Sequence, residues 1–150
     1  IAFAEGIVDL NLDASVGSDK TEVIRHMCGL LAAADRCSDV GQLVADVLAR
    51  EEIISTGLGD GVAIPHARSV AVAIPSVAIG RHRAGVDFGA DDGAAHLIFL
   101  IAAPDAAGDQ HLEILANLAR RLVHEEFKDA LKAATSATEV VAILNQEDEQ

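Results

Sequence analysis

The side chains best suited to chemistry gather around one stretch, Ser55-Thr56-Gly57-Leu58-Gly59-Asp60-Gly61-Val62-Ala63-Ile64-Pro65-His66-Ala67-Arg68. Its closely spaced glycines predict a loop whose backbone N–H groups can approach an anion. It is not a P-loop, because no Gly-Lys-Ser/Thr follows. It is not a dinucleotide fingerprint, because a strand and not a helix comes next. His66 follows a short apolar strand and a proline, so its ring stands at the end of a rigid element. That place suits a catalytic imidazole and equally a histidine satisfied by local hydrogen bonds. His111 falls in the first turn of a predicted helix, where free N–H groups and a positive field favour an anion and a neutral ring. An ordinary exposed first-turn histidine would look the same. Arg50 ends another predicted helix just before the glycine stretch. A guanidinium there can grip phosphate oxygens bidentately or simply oppose the helix dipole. Arg68, Arg81, Arg120 and Arg121 are alternatives of the same type.

Other constellations come out empty. His111-Leu112-Glu113 is an H-x-E triplet without the Pro-Cys-x-x-Cys half of a zinc deaminase. No HExxH and no Gly-x-Ser-x-Gly occur. Asp91-Asp92-Gly93 lacks the spaced ligands of a calcium loop and reads as a turn. His26, His82, His96 and His124 read as structural or solvated, His82 within a basic loop. Cys28 and Cys37 form no disulfide framework and read as small core residues in a reducing compartment.

The chain that must position these groups has 150 residues, the size of a single domain. Its net charge of −13 argues against nucleic acid and anionic lipid as partners. A hydrophobic fraction of 51% is too high for a disordered acidic polymer. With four Phe and neither Tyr nor Trp, the apolar content is mostly aliphatic, which suits helices packed on buried strands. No apolar run is long enough to span a membrane and no cleavable signal is visible.

Apolar residues recur at helical spacing over Ser18–Ala34, Ser38–Arg50 and His111–Val123, with Ser18, Ser38 and Asp109 as caps. Shorter helices are expected over Glu125–Ala134 and from Ser136, where Ser-Ala-Thr-Glu forms a capping box through Glu139. Ile7–Leu12 alternates as a strand, and Gly61–Pro65, Val77–Gly80 and His96–Ala102 are short apolar runs. The run Leu97–Ile101 reads as a central strand buried on both faces. Strands and helices intermix, so the fold class is α/β, with a sheet covered by helices. Residues 1–145 are expected to form the domain and residues 146–150 an acidic tail or the start of a linker.

Thr56–His66 resembles the active-site signature of the type 2 EIIA domains, fructose and mannitol class, of the bacterial phosphoenolpyruvate-dependent sugar phosphotransferase system. Gly85–Gly89, His96–Pro104 and His111–Arg120 continue the resemblance in order and spacing over nearly the whole chain. It implies a mixed β-sheet flanked by helices on both faces, a three-layer arrangement shared with anion-transporter cytoplasmic domains. It implies that His66 is the phosphorylated histidine, that His111 is a second active-site histidine, that Arg50 is the active-site arginine and that Thr56 is a pocket hydroxyl. One departure is Ala67, where many members have glycine. The implied activity is a protein-histidine phosphotransferase: phospho-HPr donates to His66, which passes the group to a cysteine of an EIIB partner for fructose-type uptake. The membrane component EIIC is then engaged only indirectly, no metal or organic cofactor is needed, and the location is cytoplasmic. Arg68–Arg83 and Val86-Asp87-Phe88-Gly89 look fructose-like. Alternatives are a nitrogen-class regulatory EIIA, acting by protein binding, and a non-enzymatic domain like those of anion transporters. In a molecule of this acidity the carrier role further implies a partner with a basic docking face.

Overall fold

A computed structural model describes residues 7–105 and 110–145, with residues 110–112 described by their backbone alone. Asp109, expected as a cap, and the acidic tail 146–150 lie outside the described residues. The elements run β1 (Val8–Asp9), α1 (Leu12–Ser15), α2 (Lys20–Ala33), α3 (Val40–Ile53), β2 (Gly57–Gly59), β3 (Val62–Ala63), β4 (His66–Ser69), β5 (Ser76–Val86), β6 (Ala95–Pro104), α4 (Gln110–Leu122), α5 (Glu125–Ala133) and α6 (Ala137–Asn145).

The sheet order is β1-β5-β6-β3-β2, with β4 also paired to β6. The β1/β5, β3/β6 and β4/β6 pairs are parallel, whereas β5/β6 and β2/β3 are antiparallel. Successive side chains of β6 enter different cores, as the period of two requires. Ile98, Leu100 and Ala102 pack with Val23, Met27, Leu31, Leu43 and Val47 of α2 and α3. Leu97, Phe99 and Ile101 pack with Leu118, Leu122, Leu131, Val140 and Leu144 of α4, α5 and α6. The expected three layers are therefore present, and β6 is the central strand covered on both faces. Burying each of these large side chains contributes about 1.5–3 kcal/mol.

The helix starts differ from expectation by one residue. Asp19 caps α2 by accepting the Glu22 N–H, and Asp39 caps α3 by accepting that of Gln42. Ser38 is engaged elsewhere, its hydroxyl donating to the Ala71 carbonyl. At α6 the Ser136 hydroxyl takes the Glu139 N–H as a capping box should, but the Glu139 carboxylate reaches back to Thr135 instead of Ser136. The expected strand Ile7–Leu12 is only two residues long. The Asp9 carboxylate accepts the Asn11 N–H and turns the chain. Leu12 then docks on Gly80, where an added Cβ would meet Leu12 Cδ1 at 2.5 Å.

Arg81-His82-Arg83, expected as a loop, lies within β5. His82 is buried, with Nε2 on the Gly17 carbonyl at 2.9 Å and Nδ1 accepting the Gly85 N–H at 3.0 Å. Its role is structural, as is that of His26, which bonds Asp9 at 2.8 Å. Both cysteines are free and buried. Burial, and then the neighbouring Cys37, push the Cys28 thiol up to about 12, which removes it from thiolate chemistry.

Asp13 latches α1 to β5 by accepting the backbone N–H groups of Arg83 and Ala84. The Arg83 N–H above all, with that of Ala84 and the nearby His82, holds its carboxyl below the ordinary aspartate value against the opposing effect of desolvation. A lowered folded-state pKa stabilises above the unfolded value, and the contribution is lost as pH falls through the folded one. The melting-temperature gap between the parent and Asp13→Asn is therefore expected to be constant from about pH 7 to 5 and to close below the ordinary aspartate range of about 3.9. Thermal melts across that range check it, and a gap that does not depend on pH would remove the latch.

Candidate phosphoryl-accepting site

β3 and β4 keep one register on β6: Val62 pairs with Leu97, Ala63 with Ile98 and, after Pro65, His66 with Ile101. They are one strand interrupted at residues 64–65, where proline has no N–H to give the ladder. His66 thus opens β4, whereas the sequence suggested the C-terminal end of the preceding strand. The interruption frees the Ile64 carbonyl, which lies 2.8 Å from His66 Nδ1. A carbonyl only accepts, so Nδ1 carries the proton and the lone pair of the neutral ring is on Nε2. Among the described residues Nε2 has no hydrogen-bond partner. The ring is half-buried.

Parallel partners share a face, so His66 lies on the face of Ile101, which is the α4–α6 side. Ala67 points to the other side and fills the core against α2 and α3. Its backbone avoids the left-handed region that would demand glycine. The departure from the family pattern at this residue is therefore a packing choice and leaves the histidine where it was.

His66 opens on a cleft of about 490 Å³ lined by Asp46, Ala49, Arg50, Ile53, Ala67, Arg68 and Asp105. Asp46, Ala49, Arg50 and Ile53 are one face of α3, spaced i, i+3, i+4 and i+7. Arg50 Nη1 reaches the Ile54 carbonyl beyond the helix end at 3.5 Å, a long contact that leaves the guanidinium beside the cleft. The structure thus brings His66 and Arg50 together. It adds Arg68, Asp46 and Asp105, which the sequence did not single out. The signals were present: Asp46 is one turn before Arg50, and Arg68 is two residues after His66 on one strand.

Two expected contributors stand elsewhere. The glycine stretch is not a cradle at His66 but the β2–β3 hairpin. Its tip, Asp60-Gly61, has φ of 57° and 78°, the positive pair that a type I′ turn needs. The tip lies at the far end of β3, about 16 Å from His66 at 3.3 Å per residue, and Asp60 bonds Lys128 at 3.1 Å. Thr56 is buried and does not line the cleft. Its N–H and hydroxyl both donate to the Glu51 carboxylate, at 2.9 and 2.7 Å.

His111 stands in the first turn of α4, but its side chain lies outside the described residues. α4 packs along the His66 face of β6 and starts five residues after Asp105, within about 18 Å of it at full extension. Its N-terminal N–H groups are therefore at the same end of the sheet as His66. Among the described residues no group of three His, Cys, Asp or Glu side chains converges to hold a metal ion. No helix among them is long and apolar enough to cross a membrane.

A family model described as the phosphoenolpyruvate-dependent sugar phosphotransferase system, EIIA 2, matches residues 4–147. The chain is 39% identical over 142 residues to the PTS system fructose-specific EIIABC component of Bacillus subtilis, covering 94% of this chain and 22% of that protein. It thus spans about a fifth of that relative's length. Nitrogen regulatory protein IIA-Ntr from Neisseria meningitidis superposes with a TM-score of 0.85 at 33% identity, covering 95% of this chain and 96% of that one. The complex of the mannitol enzyme IIA with phosphorylated enzyme IIB from Escherichia coli matches at a TM-score of 0.78 and 26% identity, covering 95% and 96% of the two chains.

Proposed function

The chain belongs to the type 2 EIIA family of the phosphoenolpyruvate-dependent sugar phosphotransferase system, and on that premise we propose that it carries a phosphoryl group on Nε2 of His66. The observation that carries the reading is the Nδ1–Ile64 hydrogen bond, which leaves Nε2 as the nucleophile in a cleft with Arg50. A neutral imidazole is a competent acceptor near pH 7. The donor is a phosphohistidine on HPr. Its P–N bond breaks as the P–Nε2 bond forms, and each ring keeps the proton on its other nitrogen, so no proton has to move. Transfer of this kind needs positioning and neutralisation of the equatorial oxygens more than covalent help. Arg50 supplies charge, and the N-terminal turn of α4 with His111 supplies a positive field from the same end of the sheet.

His66 then hands the group to a cysteine of an EIIB partner in fructose-class uptake, as a cytoplasmic carrier. Exposed Ile53 and Ile54, at 73% and 64% accessibility beside the cleft, suit a surface that meets protein partners in turn. The likeness to the Neisseria protein supports a second reading, a nitrogen-class regulatory phosphoprotein with the same histidine chemistry. Arg50 and His66 meeting in one cleft count against a non-enzymatic domain, which needs neither.

The test combines the chain with enzyme I, HPr and labelled phosphoenolpyruvate, and then adds a fructose-class EIIB. An acid-labile label on His66 that passes to EIIB within seconds is expected. Label that forms but stays would favour the regulatory reading, and absence of label would end the proposal. In the same assay His111→Ala is expected to slow onward transfer about tenfold and the first step by less. Equal loss of both steps would refute that division of roles.

A further inference from the structure

We propose that Arg68 is a second cation of the phosphoryl site and contacts the oxygens of the transferred group opposite Arg50. The proposal rests on the reading of His66 as the acceptor. Along β4 exposure alternates, with His66 and Arg68 outward and Ala67 and Ser69 buried. Residues two apart on one strand face stand about 7 Å apart at Cα, a span that the arginine stem covers. Arg68 lines the same cleft as His66 and Arg50. The strand supplies one guanidinium and α3 the other to the cleft that His66 lines with them.

Charge explains why one arginine is too few. Asp46 and Asp105 line the cleft with the two arginines, so the four groups sum to zero. A phosphoryl group adds about two negative charges. With Arg50 as the sole cation the loaded cleft would stand near −3, inside a chain whose net charge is −13. Arg68 brings it to about −2. Its planar fork also matches two phosphoryl oxygens, which an ammonium does not. Because charge accumulates on those oxygens as the group transfers, the contact acts on the rate of transfer rather than on docking. In the step itself the donor's P–N bond breaks, the P–Nε2 bond of His66 forms, and Arg68 neither gives nor takes a proton.

The experiment is rapid-quench labelling of the purified chain by phospho-HPr over a range of donor concentrations, for the parent, Arg68→Gln and Arg68→Lys. Melting curves check the fold of each variant, and the rates are compared at a temperature where all three are folded. Arg68→Gln is expected to lower the rate at saturating donor at least tenfold, with the half-saturating concentration moved less than threefold. Arg68→Lys should recover part of the loss, since it restores charge without the fork. An unchanged saturating rate overturns the proposal. A rise confined to the half-saturating concentration, and erased by salt, overturns it too and places Arg68 against the donor protein. The parent separates the two readings: absence of label in the parent overturns the acceptor assignment, whereas label in the parent and an equal rate in Arg68→Gln overturns the role of Arg68 alone.

Discussion

The His66→Gln variant is expected to take up no phosphoryl group from phospho-HPr at any incubation time, while melting within a few degrees of the parent. Glutamine keeps an N–H that can reach the Ile64 carbonyl, so at most one hydrogen bond of about 0.5–1.5 kcal/mol is weakened. For a domain of this size that is a shift of roughly 2–4 °C per kcal/mol. The nucleophile, by contrast, is removed outright. No other described histidine is placed to replace it. His82 is buried with both nitrogens bonded. His26 Nε2 is held by a carboxylate, His96 is the second residue of β6 at the far end of the sheet, and His124, the cap residue of α5, lines a different cleft from His66. The measurement is label stoichiometry after exhaustive incubation, with the labelled residue mapped by peptide. A label of normal stoichiometry that maps to His111 would move the acceptor there and sink the assignment.

How far the sequence foretold this site depends on what each residue's role rests on. His66 and Arg50 could be named as candidates from local chemistry, an imidazole beside a strand-breaking proline and a guanidinium at a helix end, and the fold brings the two to one cleft. Leu97–Ile101 was legible as the central strand because burial on both faces removes the polar alternation. The hairpin was misread because a Gly-Asp-Gly tip and an anion cradle use the same residues, and only the sheet decides which forms. β4 was missed because His-Ala-Arg-Ser carries no apolar pattern. Its strand character comes wholly from pairing with β6. The offsets of Arg68 from His66 and of Asp46 from Arg50 were in the sequence, but they mark neighbours of one cleft only once β4 pairs with β6 and α3 packs beside it. α1, at four residues, is too short for periodicity to show. At α2 and α3, where serine and aspartate stand side by side, the aspartate caps in both cases.

Thr56 raises the sharpest question left by the resemblance, and Glu51 answers it by experiment. Glu51 is 4% exposed and takes the Thr56 N–H and hydroxyl together, with Lys20 Nζ at 3.6 Å. The carboxylate thereby pins the chain leaving α3, one residue from Arg50, to the start of the hairpin. Glu51→Ala orphans two buried donors, each worth about 1–3 kcal/mol. The expected cost is about 3 kcal/mol, partly relieved by water entering the space, which corresponds to a fall in melting temperature of roughly 6–12 °C. If the pair is a brace, Glu51→Ala and Thr56→Ala should fall short of additive, because both lose the hydroxyl bond, whereas the backbone N–H bond is lost only with the carboxylate. Phosphorylation of His66 at a temperature where both variants are folded should then stay within about threefold of the parent. A hundredfold loss of labelling in Thr56→Ala with little change in melting would contradict the brace and return the hydroxyl to the phosphoryl chemistry. The geometry favours the brace: a hydroxyl that donates to a buried carboxylate turns its proton away from the cleft, and a phosphoryl group has no donor of its own to offer the oxygen that remains.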